Sequence, residues 1–164
     1  MIGHQPVMTQ LRFSDDALLK HAETYVNDGW DALDVPDFLS AGRLAREALS
    51  LSPYSIDAYT IIAHTESVPA VRISLLQEGV RKGRRFVKPS LSGHRDVGFW
   101  QISAARSWFR AAQFLAIELW ERGAEQDRIE AVGLLRELLR LDRQDDIGAR
   151  FLAYGWFPAQ GNWT

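Results

Sequence analysis

Arg106 and Arg110 are the residues whose type and spacing best suit ligand recognition in this sequence. They stand four positions apart in the stretch 105–119, where apolar residues recur at helical spacing, so both side chains share one helix face. Two guanidinium groups on one face can hold a carboxylate, such as a peptide C-terminus, through paired hydrogen bonds. Arg150, on a following predicted helix, is a third candidate for this cluster.

A structural role is the alternative interpretation of these arginines. Asp142, Asp145 and Asp146 lie in the loop before Arg150. Ion pairs between arginine and aspartate are common where helices of one domain meet, and here they would fix a helical hairpin. The sequence leaves both interpretations open.

Aromatic residues near the arginines would supply the apolar part of a binding site, because aromatic side chains anchor many interfaces. The candidates are Tyr59, Trp100 and Trp108. The chain has six tryptophans, and we expect most of them to pack in the core or between helices.

The stretch 81–88, RKGRRFVK, is the most basic part of the chain. Its bases are Arg81, Lys82, Arg84, Arg85 and Lys88. One interpretation is an anion or nucleic-acid patch, and the other is a solvated helix end whose cations complement the helix dipole. The net charge of −2 and the single aromatic residue in the stretch favour the second interpretation and argue against nucleic acid.

Several classes of chemistry have no support in the sequence. The chain has no cysteine, which excludes disulfides, thiolate ligands and a thiol nucleophile. Its four histidines lack metal-site spacing, and nucleophile-elbow and phosphate-loop motifs are absent. We therefore expect no catalytic residues, cofactor or metal. The sequence shows neither a signal-peptide pattern nor a run of about 20 apolar residues, so we expect a cytoplasmic protein that does not enter a membrane.

Helical periodicity predicts seven or eight helices joined by short loops, which makes the chain an all-α protein. Helix starts are predicted at Ser14, at Ser55 and near Pro69, and a helix end at Gly123. Apolar stripes are expected on each helix. The clearest runs from Ala105 to Leu119, and the last joins Ile147, Phe151 and Tyr154.

The length of 164 residues fits one domain with a sizeable core. We divide it into an acidic helical segment 1–38, a first repeat region 39–86, a loop 87–99, a second repeat region 100–157 and a tail 158–164.

The segments 41–53, AGRLAREALSLSP, and 131–143, AVGLLRELLRLDR, align without a gap. Their apolar positions correspond in the order Ala41, Ala45, Ala48 and Leu51 to Ala131, Leu135, Leu138 and Leu141. Each segment leads through a break into a new helix. This arrangement resembles the tetratricopeptide repeat (TPR), a helix–turn–helix unit of about 34 residues. The resemblance implies antiparallel helical hairpins stacked as a short right-handed superhelix.

The second repeat region is similar to TPR proteins of the suppressor-of-tumorigenicity-7 type. The matching residues are Phe99, Trp100, Arg106, Trp108, Arg110, Ala111, Gly148 and Arg150. The likeness covers roughly residues 39–157 and implies a binding scaffold with no defined chemistry.

A non-catalytic protein-interaction module is therefore the expected function. The first helix of each hairpin would line a concave groove that captures a partner peptide or protein. The alternatives are an enzyme or small-ligand binder that uses a pocket in this groove, and a nucleic-acid-associated regulator that uses 81–88. A homodimer through an end helix, near Trp156 and Phe157, is a further expectation, because repeat arrays need covered ends.

Overall fold

The computed structural model describes residues 7–93, 103–142, 145 and 147–156; within these ranges the side chains of 7–16, 85, 86, 88–93, 103 and 104 are not described. The described residues form seven helices and no strand, which confirms the all-α prediction. The helices are α1 (Val7–Asp34), α2 (Phe38–Leu51), α3 (Ile56–Thr65), α4 (Pro69–Gly93), α5 (Ser103–Arg122), α6 (Glu125–Leu141) and α7 (Ala149–Trp156).

The helices pack in chain order, each against the next. The odd-numbered helices α1, α3 and α5 also contact one another in sequence. No contact of similar extent joins α2 to α4 or α4 to α6 in the described part of the chain. Helices α1, α3 and α5 therefore form a continuous inner layer, α2 covers the junction of α1 with α3, and α4 covers the junction of α3 with α5.

Three of the predicted helix boundaries are confirmed. Ser55 is the residue before α3, Pro69 is the first residue of α4, and α5 ends just before Gly123. Gly123 has a φ of +80°, a backbone conformation that side chains disfavour, so glycine suits this turn. Asp37 caps α2 by accepting a hydrogen bond from the Ser40 amide at 3.1 Å, and hydrogen bonding with the Ser40 side chain and amide lowers the pKa of Asp37.

Two predicted boundaries are wrong. Ser14 lies inside α1, which begins at Val7, because the residues before it continue the helix and leave the serine no end to cap. The predicted loop 87–99 is helical as far as Gly93, and residues 94–99 lie outside the described part. Val87 is buried and extends the apolar face of α4, so packing continues this helix into the end of the basic stretch.

The predicted stripe on α7 is also wrong. Phe151 and Tyr154 are 81% and 68% exposed, whereas Ala149, Ala153 and Trp156 are buried. The Trp156 ring stacks on Trp120 of α5 at a centroid distance of 4.6 Å. This stacking selects which side of the short helix faces the core.

The predicted stripe on α5 is confirmed, since all its members from Ala105 to Leu119 are buried. Trp108 lies at its centre with 1% of its surface exposed. Its indole N–H donates to the Val80 carbonyl at 3.1 Å, which satisfies the one polar group of the ring. Helix α5 therefore provides much of the core.

The repeat seen in the sequence has a structural counterpart in α2 and α6. At the end of α2 the backbone N–H of Ser52 donates a hydrogen bond to the Ala48 carbonyl at 3.0 Å. At the end of α6 the backbone N–H of Asp142 donates to the Leu138 carbonyl at 2.8 Å. Three residues later, the backbone N–H of Ser55 donates to the Ser52 carbonyl, and that of Asp145 donates to the Asp142 carbonyl. The two segments therefore share their turns as well as their buried positions.

Helix α4 carries a similar spacing of buried positions at Leu76, Val80 and Gly83, which lie 35 positions after Ala41, Ala45 and Ala48, and a fourth buried position, Val87, follows one residue later than in the other two segments. Sequence comparison missed this third instance because a glycine replaces one apolar side chain. At Gly83 a Cβ atom would lie 2.8 Å from Trp108 Cδ1 and 3.3 Å from Ile56 Cγ1. The missing side chain allows α4 to approach α5 closely.

We expect Gly83→Ala to destabilise the protein and Gly133→Ala to stabilise it. Both glycines are helical, so both variants gain about 0.5–1 kcal/mol from helix propensity. Only Gly83→Ala also forces a methyl group into a packed core, which costs about 1–3 kcal/mol; at Gly133 nothing lies within 4 Å of the added atom. Urea denaturation of the two variants measures the difference, and equal stabilisation would contradict the close packing at Gly83.

Candidate functional site

A cavity of about 410 Å³ lies between α1, α3 and α5, the three helices of the inner layer. Its walls come from α1, from the residues that begin α3, and from the first half of α5. The lining residues are Leu19, Glu23, Val26, Asn27, Trp30, Tyr54, Ser55, Ile56, Asp57, Arg106, Ser107 and Arg110.

Asp57 is the buried acid of this cavity. It lies in the first turn of α3, where the helix dipole favours a carboxylate, and only 6% of its surface is exposed. Its Oδ2 accepts hydrogen bonds from Ser107 Oγ at 2.7 Å and from Arg110 Nη2 at 2.9 Å. Its other oxygen, Oδ1, is buried and has no hydrogen-bond partner in the described part of the chain.

Burial raises the pKa of Asp57 above its ordinary value of 3.8. The positive charge of Arg110, the hydrogen bond from Ser107 and the charge of Arg106 act in the opposite direction. The cost of desolvation exceeds their combined effect. The carboxylate is therefore incompletely compensated by its protein neighbours, and a further donor at Oδ1 would stabilise its charged form.

Some N–H groups near this acid also lack a hydrogen-bond acceptor among the described residues. Arg106 Nε, Arg110 Nε and Trp30 Nε1 are buried and make no hydrogen bond within the described residues. The Trp30 indole N–H nevertheless lies near enough to Asp57 to help lower its pKa. Leaving a buried donor unpaired costs about 1–3 kcal/mol, so these groups make this cavity the candidate site.

Trp30 also fixes the position of Arg110. The Arg110 guanidinium lies over the Trp30 ring, 5.3 Å from the ring centroid. This cation–π contact and the ion pair with Asp57 hold the arginine from two sides. Arg106 forms no ion pair among the described residues, so its guanidinium is the more available of the two.

The sequence placed Arg106 and Arg110 on one helix face, and the structure brings both to the cavity. Arg110 is engaged in an ion pair, but with Asp57 rather than with Asp142 or Asp145. Asp146, the third acid considered, lies outside the described residues.

The other predicted partner-binding residues lie elsewhere or outside the described part. Tyr59 is buried; its hydroxyl donates to the Pro53 carbonyl at 3.1 Å and accepts from Lys82 Nζ at 2.6 Å. Trp108 is in the core, and Trp100 is not described. The Arg150 amide donates to the Asp145 carboxylate at 3.1 Å at the start of α7, and Arg150 does not line the cavity.

Sequence reasoning missed Asp57, Trp30, Ser107 and Glu23 as members of the site. Asp57 had the appearance of an ordinary helix-start acid, and Trp30 that of a packing residue. One signal was present: Asp57 lies in the first turn of IDAYTIIA, a mostly apolar helix. Because apolar residues surround it on this helix, the acid is buried together with them.

The described bases of the stretch 81–88 are paired with acids. Arg81 and Lys82 contact Glu78, with shortest distances of 2.7 Å and 3.3 Å, and these contacts lower the pKa of Glu78 to about 2. Arg84 makes two hydrogen bonds of 2.7 Å to Glu137 of α6. The side chains of Arg85 and Lys88 are not described. The described part of this stretch therefore links and stabilises helices.

The chain matches no protein-family model, no curated protein and no solved structure. In the described residues, no group of three or more histidine, aspartate or glutamate side chains is placed to hold a metal ion. None of the described helices combines the length and the apolar composition that crossing a membrane requires.

We expect Asp57 to make the protein less stable as pH rises. The folded chain holds the Asp57 proton more tightly than the unfolded chain, so its contribution to the free energy of unfolding decreases from pH 3.8 up to the raised pKa. Asp57→Asn removes this titration. The stability of the wild type relative to Asp57→Asn should therefore fall across this window in urea denaturation.

Asp127→Asn provides a control of opposite sign. The hydrogen bond from Arg122 lowers the pKa of Asp127, so the wild-type advantage at this position should be lost as pH falls. A pH-independent difference between the wild type and Asp57→Asn would contradict the raised pKa.

Proposed function

We propose that this chain is a non-catalytic interaction module of TPR type, which captures a segment of a partner protein at the cavity between α1, α3 and α5. Arg106 and Arg110 orient a carboxylate of that segment, and the apolar wall receives its stem. The observation that carries this proposal is a pair of buried guanidinium N–H groups at one cavity, neither of which has a hydrogen-bond partner among the described residues.

The TPR architecture belongs to the same proposal. Consecutive helical hairpins, contacts among α1, α3 and α5, and repeated turns after α2 and α6 support it. In a right-handed superhelix of this kind, the first helices of the hairpins line the concave face, and these are the helices around the cavity. A cytoplasmic location remains an expectation from the sequence.

The lining residues favour binding over catalysis. Ser107 donates its hydroxyl hydrogen bond to Asp57, and the described residues of the cavity lining include no histidine to activate a nucleophile. The paired bases Arg81 and Arg84 give no support to a nucleic-acid site. A small-ligand binder is the second candidate, because about 410 Å³ lies within the range typical of small-molecule pockets, about 300–1,000 Å³.

Affinity capture tests the proposed function. The tagged wild type, Arg106→Gln and Arg140→Gln are incubated with lysate of the cells that express the protein, and bound polypeptides are identified by mass spectrometry. Arg140 is an exposed arginine of α6 that does not line the cavity, so it controls for loss of one positive charge. We expect one polypeptide that the wild type and Arg140→Gln capture and that Arg106→Gln loses at least about tenfold.

Circular dichroism and thermal unfolding show whether Arg106→Gln stays folded. Capture that persists in the folded Arg106→Gln variant would reject this cavity as the partner site. Absence of any captured polypeptide would instead favour the small-ligand alternative.

Self-association through the end helix is a second part of the proposal. Trp156 is buried and its ring stacks on Trp120, but Phe151 and Tyr154 expose an aromatic surface on α7. Phe157 lies outside the described residues. We expect a dimer at micromolar concentration that Phe151→Ser with Tyr154→Ser converts to monomer. Light scattering of the purified protein measures this, and a strictly monomeric wild type would reject it.

A further inference from the structure

The charged groups that face the cavity are balanced in sign. Arg106 and Arg110 contribute positive charge, and Asp57 and Glu23 are the acids of the lining. Glu23 is exposed at the rim on α1 and forms no ion pair within the described part of the chain. The cavity therefore presents two kinds of charged wall rather than a uniformly positive one.

The unused hydrogen-bonding atoms have the same dual character. Arg106 Nε and Arg110 Nε have no acceptor among the described residues, and Asp57 Oδ1 has no hydrogen bond there, although the Trp30 indole N–H lies near this carboxylate. Asp57 Oδ1 is buried, so bulk water does not supply the missing hydrogen bond. A ligand that supplies only acceptors leaves this oxygen unsatisfied, and a ligand that supplies only donors leaves the arginines unsatisfied.

These requirements eliminate simple ions. A dianion such as phosphate would bring two negative charges against Asp57 and Glu23, whose repulsion offsets much of the attraction of the arginines. A cation alone would face Arg106 and Arg110. A molecule with one group of each sign complements both walls and leaves the total charge of the site unchanged.

We infer that the group which enters this cavity is dipolar, with a carboxylate and an amine on one short aliphatic stem. The carboxylate binds Arg106, because Arg110 is already engaged by Asp57 and Trp30. The amine faces the two acids of the lining, Glu23 and Asp57. Val26 and Ile56 offer apolar surface for the stem, and the cavity volume suits one residue of this kind. This inference rests on the proposed function, since it concerns the same cavity.

Lysine derivatives with matched aliphatic stems test the inference. Nα-Acetyl-lysine carries both groups, its amide carries only the amine, and Nα-acetyl-norleucine carries only the carboxylate on a stem of equal length. Isothermal titration calorimetry at low ionic strength measures their binding to the full-length chain. We expect Nα-acetyl-lysine to bind about tenfold or more tightly than either analogue, which corresponds to loss of one charge-assisted hydrogen bond.

Two variants test which residue binds the carboxylate of the ligand and which residue faces its amine. Arg106→Gln should abolish the preference for Nα-acetyl-lysine over its amide, and Glu23→Gln should reduce its preference over Nα-acetyl-norleucine. Arg140→Gln, outside the cavity, should leave all three affinities unchanged. Glu23 is exposed, so its variant should fold normally and remains informative if Arg106→Gln is unstable.

The outcomes separate this inference from the proposed function. Equal binding of Nα-acetyl-lysine and Nα-acetyl-norleucine, or no binding of any probe, would overturn the dipolar ligand while Arg106-dependent capture of a partner protein still supported the cavity. Tighter binding of free lysine than of its acetyl derivative would support the dipolar class and identify a free amino acid, rather than the end of a polypeptide, as its source. Partner capture that is independent of Arg106, together with selective binding of Nα-acetyl-lysine, would keep the ligand class and reject the protein-capture function.

Discussion

The ion pair between Asp57 and Arg110 is the constraint on which the candidate site depends. It joins α3 to α5 at 2.9 Å, and the Trp30 ring of α1 covers the arginine, so one contact ties the three inner helices together. A buried charge is tolerated only when its partners compensate the loss of water. Here compensation is partial, because one carboxylate oxygen and two guanidinium N–H groups have no hydrogen-bond partner in the part of the chain that the structure describes.

This partial compensation connects the packing of the helices with their proposed role. The core itself is closely packed: Gly83 lets α4 approach Trp108, and the indole N–H finds a carbonyl of α4. The polar cavity lies beside this core, on the side where α1 meets α3 and α5. A rigid, well-packed α5 can hold Arg106 and Arg110 in fixed positions, which reduces the entropy lost when a ligand binds.

Ion pairing distinguishes the described arginines of α4 from Arg106 of the cavity. Arg84 and Glu137 join α4 to α6, and Arg72 joins α4 to Glu118 of α5 at 2.7 Å. Both arginines have an acid as a close neighbour. Arg106 differs from them, since it forms no ion pair among the described residues, and Asp57, whose pKa its charge lowers, is paired with Arg110. Position within the array, rather than the number of bases in a stretch, distinguishes a candidate binding arginine from a structural one.

The sequence by itself determined the helices, the buried stripe on α5, the equivalence of α2 and α6, and the face shared by Arg106 and Arg110. These features depend on spacings within a few turns of one helix, where the periodicity is local. The sequence did not determine the extent of α4, the buried face of α7 or the partner of Arg110. Asp57 and Arg110 are 53 positions apart, and nothing local marks one as the neighbour of the other. Only the packing of α1, α3 and α5 brings them together, because the burial that makes their charges matter arises when the three helices meet.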